Sequence, residues 1–236
     1  MIQRKALIVR GGWDGHQPVV ATEMFIPFLQ ANGFEVRIEE SPDVYADAKA
    51  MTETDLIVQC VTMSEASHDS VMGLRAAVAA GTGFTGWHGG IADSFRASSD
   101  YLQLVGGQFA THPSKEPSQI IEGASDNNYL RYSVDMTPLG HEHPITHGID
   151  DFELITEQYW VLHDELNNVL ATTTHPKQPW QEWERPLVSP AIWTRSWGRG
   201  RIVVTTPGHS PDVLEHPSVR TIIERGMLWA ARTASE

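Results

Sequence analysis

Gly86-Trp87-His88-Gly89-Gly90 follows an apolar run and has the G-x-X-x-G form of a strand-to-helix elbow, where small neighbours let the central residue take a strained turn. His88 stands where such elbows carry a nucleophile. With neither Ser nor Cys there, covalent acyl transfer has no attacking atom. What remains is imidazole chemistry, or a glycine-rich turn in which His88 is only a local hydrogen-bond donor. Three more imidazoles lie in glycine-bearing loops: His16 in Gly11-Gly12-Trp13-Asp14-Gly15-His16, His112 after Gly106-Gly107, and His209 in Thr206-Pro207-Gly208-His209. Imidazole ligates metals, moves protons near neutral pH and hydrogen-bonds sugar hydroxyls. Their spacing fits no local metal motif such as HExxH. A divalent metal (zinc, manganese or similar) would use His16, His112 and His209.

Glu157 and Tyr159 are two residues apart in Thr156-Glu157-Gln158-Tyr159. On one strand they would share a face, which makes Glu157 the carboxylate for acid/base work. The expected catalytic set is therefore His88, His112, His209 and Glu157. Tryptophans near these loops offer flat apolar faces beside polar groups, which suits a sugar. Trp13, Asp14, His16, Trp87, Gly89, Tyr159 and Trp193 are the expected substrate contacts. The histidine-dense stretch 140–148 contains Pro144 and Gly148 and reads as a solvent-facing turn. Cys60 is the sole cysteine, so neither an intrachain disulfide nor a CxxC pair can form. It reads as a small buried hydrophobe; a cysteine hydrolase would need it to be a reactive thiol.

The elements that must position these groups alternate through the first half. Strand patterns at 5–10, 34–38, 56–61 and 83–87 are separated by a helix from Pro18, with Pro27 expected to kink or end it, and an Ala-rich helix over 70–80. That alternation predicts a parallel sheet flanked by helices, with ligands outside the carboxyl ends of its strands. Beyond about residue 115, strands are expected at 119–122, 131–135, 152–155, 159–162, 169–171, 191–195 and 201–205, with no long helix among them. They predict an antiparallel extension in the C-terminal half. A closing helix over 217–231 presents Val219, Ile222, Ile223, Met227 and Trp229 to the sheet. A single domain over 1–236 is expected.

Thirty acidic against seventeen basic residues give a formal charge of −13, which disfavours nucleic acid and anionic membranes as partners. The start holds only a four-residue apolar run, too short for a signal core or membrane span, so a cytoplasmic location is expected. No G-x-G-x-x-G or P-loop is present, so no nucleotide cofactor is expected. A homo-oligomer is expected from the prevalence of symmetric assemblies.

Together ALIVRGGWDGH, GTGFTGWHGG, LVGGQFATHP, HPITHGI, ITEQYW, SPAIWTRSWGRGRIVVTTPGHSP and IIERGMLWAA resemble the trehalose-utilisation (ThuA-like) family in order and spacing over almost the whole chain. The resemblance implies a flavodoxin-like sheet related to class I glutamine amidotransferases, without the elbow cysteine and so without glutaminase activity. It implies a role in the use of trehalose and related disaccharides, through keto-sugars. It also implies that the recurrent polar residues are His16, His88, His112, Glu157, Tyr159 and His209. The first loop departs from the family in being poorer in histidine, which counts against a metal role for it. Two functions follow: an enzyme (hydrolase, lyase or isomerase) acting on a small sugar, or a non-catalytic sugar-binding or regulatory protein with a degenerate amidotransferase-like pocket.

Overall fold

A computed structural model describes residues 3–124 and 126–233. The first half alternates as expected. Strands β1 (Arg4–Gly12), β2 (Phe34–Glu39), β3 (Leu56–Thr62) and β4 (Gly83–Trp87) are interleaved with helices α1 (Pro18–Glu23), α2 (Ile26–Ala31), α3 (Ala48–Glu53) and α4 (His68–Ala79). The helix expected from Pro18 is two short ones, because Pro27 falls in the first turn of α2, where its missing N–H leaves no bond unmade.

After β4 come α5 (Gly89–Ala92), α6 (Ser99–Val105) and β5 (Gly107–Thr111). Then follow β6 (Tyr129–Met136), α7 (Pro138–Glu142), β7 (Phe152–Glu157), β8 (Trp160–His163), β9 (Asn168–His175), β10 (Leu187–Trp197) and β11 (Gly200–Thr205). Helices α8 (Pro211–Glu215) and α9 (Pro217–Ala230) close the described chain. The strand expected at 119–122 does not form. Pro117–Gln119 is a 3-10 turn capped by Glu116, whose N–H donates to the Gln119 side chain at 2.8 Å, and these local bonds displace a ladder.

One nine-stranded sheet runs in the order β2-β1-β3-β4-β11-β10-β9-β6-β7. The β2-β1-β3-β4-β11 part is parallel and the rest antiparallel, which is the expected flavodoxin-like core with its extension. Strands β5 and β8 pair separately. Both faces of the parallel part are covered, as its apolar strands require. On one side Ile8, Leu56 and Val58 pack with Phe25, Leu29 and the α9 residues Val219, Ile222 and Met227. On the other, Leu7, Val9, Ile57 and Val61 pack with Leu74 and Val78 of α4.

The antiparallel ribbon β6–β7 joins β9 by two ladder pairs, Asp135 with Thr172 and Met136 with Ala171, and buries Leu130, Tyr132, Val134 and Leu154 in the core. Its opposite end, where Tyr129 pairs with Glu157, lies over the carboxyl ends of the parallel strands.

Candidate active site

Four neighbouring strands end at one place. His16 follows β1, Thr62 ends β3, His88 follows β4, and Thr206 and His209 follow β11. His88 has φ 50° and ψ −141°, a conformation that non-glycine residues rarely adopt, so the elbow expected from the sequence exists with an imidazole at its apex. The turn is pinned by the His88 N–H donating to the Thr205 carbonyl at 2.7 Å.

His88 Nδ1 lies 2.8 Å from the carbonyl oxygen of Thr206. A carbonyl can only accept, so Nδ1 carries the proton, and in neutral His88 the Nε2 lone pair points inward. That nitrogen is 2.9 Å from Glu157 Oε2 and 3.3 Å from His209 Nδ1. His209 Nδ1 is in turn 3.0 Å from the same carboxylate oxygen. His16 completes the group: its Nδ1 is 2.9 Å from Thr62 Oγ1, and its ring stands edge-on to His88 and His209 at centroid distances of 4.6 and 5.1 Å. The four side chains each present one ligand atom, all within 4.8 Å of one another.

Burial governs the electrostatics. It would raise the Glu157 carboxyl, but hydrogen bonds and charge from His209 and His88 outweigh it and hold the group far below the usual carboxylate range. Burial lowers the His88 imidazole, against the pull of Glu157. Burial, then the neighbouring His88 and His209, push His16 down to about 2. Burial, with the Glu157 charge next, holds the Tyr159 phenol well above its usual value, so it stays protonated.

Glu157 reaches this point because the β6–β7 ribbon leans over it. Gln158 Nε2 donates to Thr173 Oγ1 and the Thr174 carbonyl, and the Tyr132 hydroxyl donates to the Glu157 carbonyl at 3.2 Å. Glu157 Oε1 faces away from the histidine trio, 3.5 Å from His112 Nε2 and 3.4 Å from Asn128 Nδ2. Tyr159 lies between β7 and β8, so it does not share a strand with Glu157 as expected. Its ring still covers His88 at 4.1 Å. Gly89 leaves room for His16: a Cβ there would stand 2.6 Å from His16 Cε1.

The structure thus brings together His16, His88, Glu157, Tyr159 and His209, with His112 at the outer edge. The expected ligand trio of His16, His112 and His209 is not the set that converges: His88 and Glu157 take part, and His112 touches only the outer carboxylate oxygen. Trp13 is 45% exposed and packs edge-on against His16 at 4.8 Å, with Asp14 exposed beside it. Trp87 and Trp193 are core residues rather than lining ones. Trp87 packs against Phe25, and Trp193 donates its indole N–H to the Val105 carbonyl at 3.0 Å. The reactive-thiol reading of Cys60 also fails: it is buried beneath Gly90, and burial raises its thiol to about 12. In the turn expected to face solvent His141 and His147 are exposed, but His143 packs on Trp229 at 5.1 Å and Ile145 and Thr146 are buried, so the turn is anchored in the core.

Sequence reasoning missed Thr62, Thr206, Asn128 and Tyr129. The two threonines stand where strands end, which was a usable signal; nothing local marked Asn128 or Tyr129. A surface cavity of about 270 Å³, lined by Met63, Ser64, Glu65, Arg96 and Ala97, opens nearby. Arg96 lies over the Phe109 ring at 5.5 Å, and Phe109 packs on His112 and Tyr159.

The trehalose-utilisation (ThuA) family matches residues 5–230. No curated protein matches. Among solved structures, a protein described as ThuA-like from Bacteroides uniformis ATCC 8492 is 16% identical, over 97% of this chain and 91% of that one, with a TM-score of 0.73. Another, from Parabacteroides merdae ATCC 43184, is 15% identical over 96% and 89%, with a TM-score of 0.72. A cytoplasmic protein of Salmonella typhimurium LT2 is 13% identical over 97% and 100%, with a TM-score of 0.65. Likenesses at this identity speak for the fold alone. Among the described residues no helix is long and apolar enough to cross a membrane.

Proposed function

The chain belongs to the ThuA family, trehalose utilisation, and on that premise we propose that it is a cytoplasmic enzyme that processes a small sugar by acid/base chemistry at the histidine–glutamate centre. The substrate class is a trehalose-type disaccharide or a keto-glycoside derived from one. The observation that carries this reading is the convergence of His16, His88, Glu157 and His209 at the carboxyl ends of adjacent strands, where ligands of open α/β sheets bind. Structural packing alone does not call for three imidazoles and an ionised carboxylate in a buried cluster.

His112 is the best placed of these residues to exchange protons with a ligand, since a quarter of its side chain is open while Nε2 lies 3.5 Å from Glu157 Oε1. Trp13 supplies an exposed aromatic face at the rim for a sugar ring to lie on. The charge of −13 supports an uncharged partner rather than a polyanion.

The test is incubation of the pure protein with trehalose, related disaccharides and their keto derivatives, followed by NMR. One class should be consumed, and Glu157→Gln should slow that reaction by about a hundredfold or more while circular dichroism stays unchanged. A second reading, a sugar-binding protein without turnover, is favoured by the near-complete closure of the centre, where His88 is 1% exposed. It predicts that sugar binds and is recovered unchanged from wild type; that result would replace the enzymatic reading.

A further inference from the structure

We propose that His16, His88, Glu157 and His209 are the ligands of a single divalent transition-metal cation, with zinc the first candidate. Hydrogen bonding satisfies these atoms only if the buried His88 ring carries a proton on both nitrogens. The Thr206 carbonyl fixes the proton of His88 on Nδ1, so Nε2 of the neutral ring faces Glu157 Oε2 at 2.9 Å, acceptor against acceptor. His209 Nδ1 stands 3.3 Å from the same Nε2, and at 3.0 Å from the same oxygen. Three donor atoms separated by 2.9 to 3.3 Å approach the edges of a tetrahedron with metal–ligand bonds of about 2.0–2.1 Å, which are about 3.3 Å long.

The surroundings also resemble those of a ligand set. Metal-binding imidazoles pass their second ring N–H to a carbonyl or hydroxyl, which fixes the tautomer. The Thr206 carbonyl stands in that place for His88, and the Thr62 hydroxyl, which can accept or donate, holds His16 Nδ1. Glu157 is the one carboxylate among the four. Three imidazoles and one carboxylate suit zinc, cobalt, manganese or iron(II) better than calcium or magnesium, which prefer oxygen ligands.

As part of a sugar-processing centre the cation rests on the reading above, and there it would supply Lewis acidity toward a carbonyl or hydroxyl oxygen of the sugar. It also divides the labour differently: His16, His88, His209 and Glu157 hold the ion, which leaves His112 to carry protons.

The experiment needs no sugar, so its failure is separate from a failure of the sugar reading. Chelator-treated full-length protein is titrated with cobalt(II) and with zinc. Metal content is measured by plasma emission, ligand-field bands by absorption, and melting temperature with and without metal. One equivalent should bind, with visible bands and a higher melting temperature. His209→Ala and Glu157→Gln, each checked for folding by circular dichroism without metal, should bind at least tenfold more weakly. His141→Ala, at an exposed position of the histidine turn, should bind as wild type does. Binding below a tenth of an equivalent would overturn the proposal, leaving a proton on His88 to satisfy Glu157. So would one equivalent retained in both folded ligand variants, or lost in His141→Ala.

Discussion

Replacing Gly89 by alanine tests the arrangement at the point where it is tightest. The added Cβ would stand 2.6 Å from His16 Cε1, 2.9 Å from His16 Nδ1 and 2.8 Å from Thr62 Cγ2, whereas ordinary contact begins at 3.4 Å. The His16 ring must therefore retreat by about 0.8 Å to restore ordinary contact, and Thr62, its hydrogen-bond partner, is pressed in the same direction. Overpacking of this kind costs about 1–3 kcal/mol, which corresponds to roughly 2–12 °C in melting temperature for a chain of this size. A misplacement near 1 Å in a reacting or ligating group costs about a hundredfold in rate. Turnover of the sugar found by the NMR panel, or cobalt affinity, should thus fall far more than stability does. Circular dichroism melts and a cobalt titration on Gly89→Ala give both numbers. A variant with a melting temperature within 1 °C of wild type and unchanged cobalt affinity would refute the packing of His16 against Gly89.

Three further outcomes follow from burial. Iodoacetamide should leave Cys60 unmodified in the native protein and alkylate it only in denaturant, since the buried thiol is held near 12; rapid native labelling read by mass spectrometry would contradict its placement. His175 is pushed down to about 4 by burial, so below pH 6.5 the unfolded chain takes up a proton that the folded one refuses, and stability falls as pH falls. Between neutral pH and pH 5 the loss from this residue is about 2 kcal/mol, seen as a steeper decline in urea midpoint for wild type than for His175→Gln; equal slopes would remove His175 from the account. Trp13→Ala should leave the melt unchanged and weaken sugar binding by about 1 kcal/mol, or about fivefold in Kd, and an unaltered Kd would exclude Trp13 as a sugar platform.

The parallel core was legible because its strands are continuous apolar runs bounded by glycine, and β4 falls on the expected 83–87. The elbow was legible too, since small residues around His88 have few other uses. Less legible were features set by partners distant in sequence. The 119–122 segment has strand-like apolar residues, but Pro117 and the Glu116 cap take up its hydrogen bonds locally. Glu157 was chosen for its place beside Tyr159 on a presumed strand. It earns its role instead because a ribbon attached at its far end brings it over His88. His16 was expected among the polar residues, and the structure places it in the cluster beside His88 and His209. Trp193 was expected as a lining residue because it lies near the histidine-bearing loops in sequence; its indole faces the α4 side of the sheet and is buried there.

His88 is 69 residues from Glu157 and 121 from His209 along the chain, and His16 is 46 from Thr62. Contacts that span so much sequence close late, after the local turns and helices are in place. Strand β7, which ends in Glu157, is the edge strand of the nine-stranded sheet and pairs only with β6. The charged member should therefore arrive last in refolding and leave first in denaturant, so the cluster reports whether the chain has finished folding.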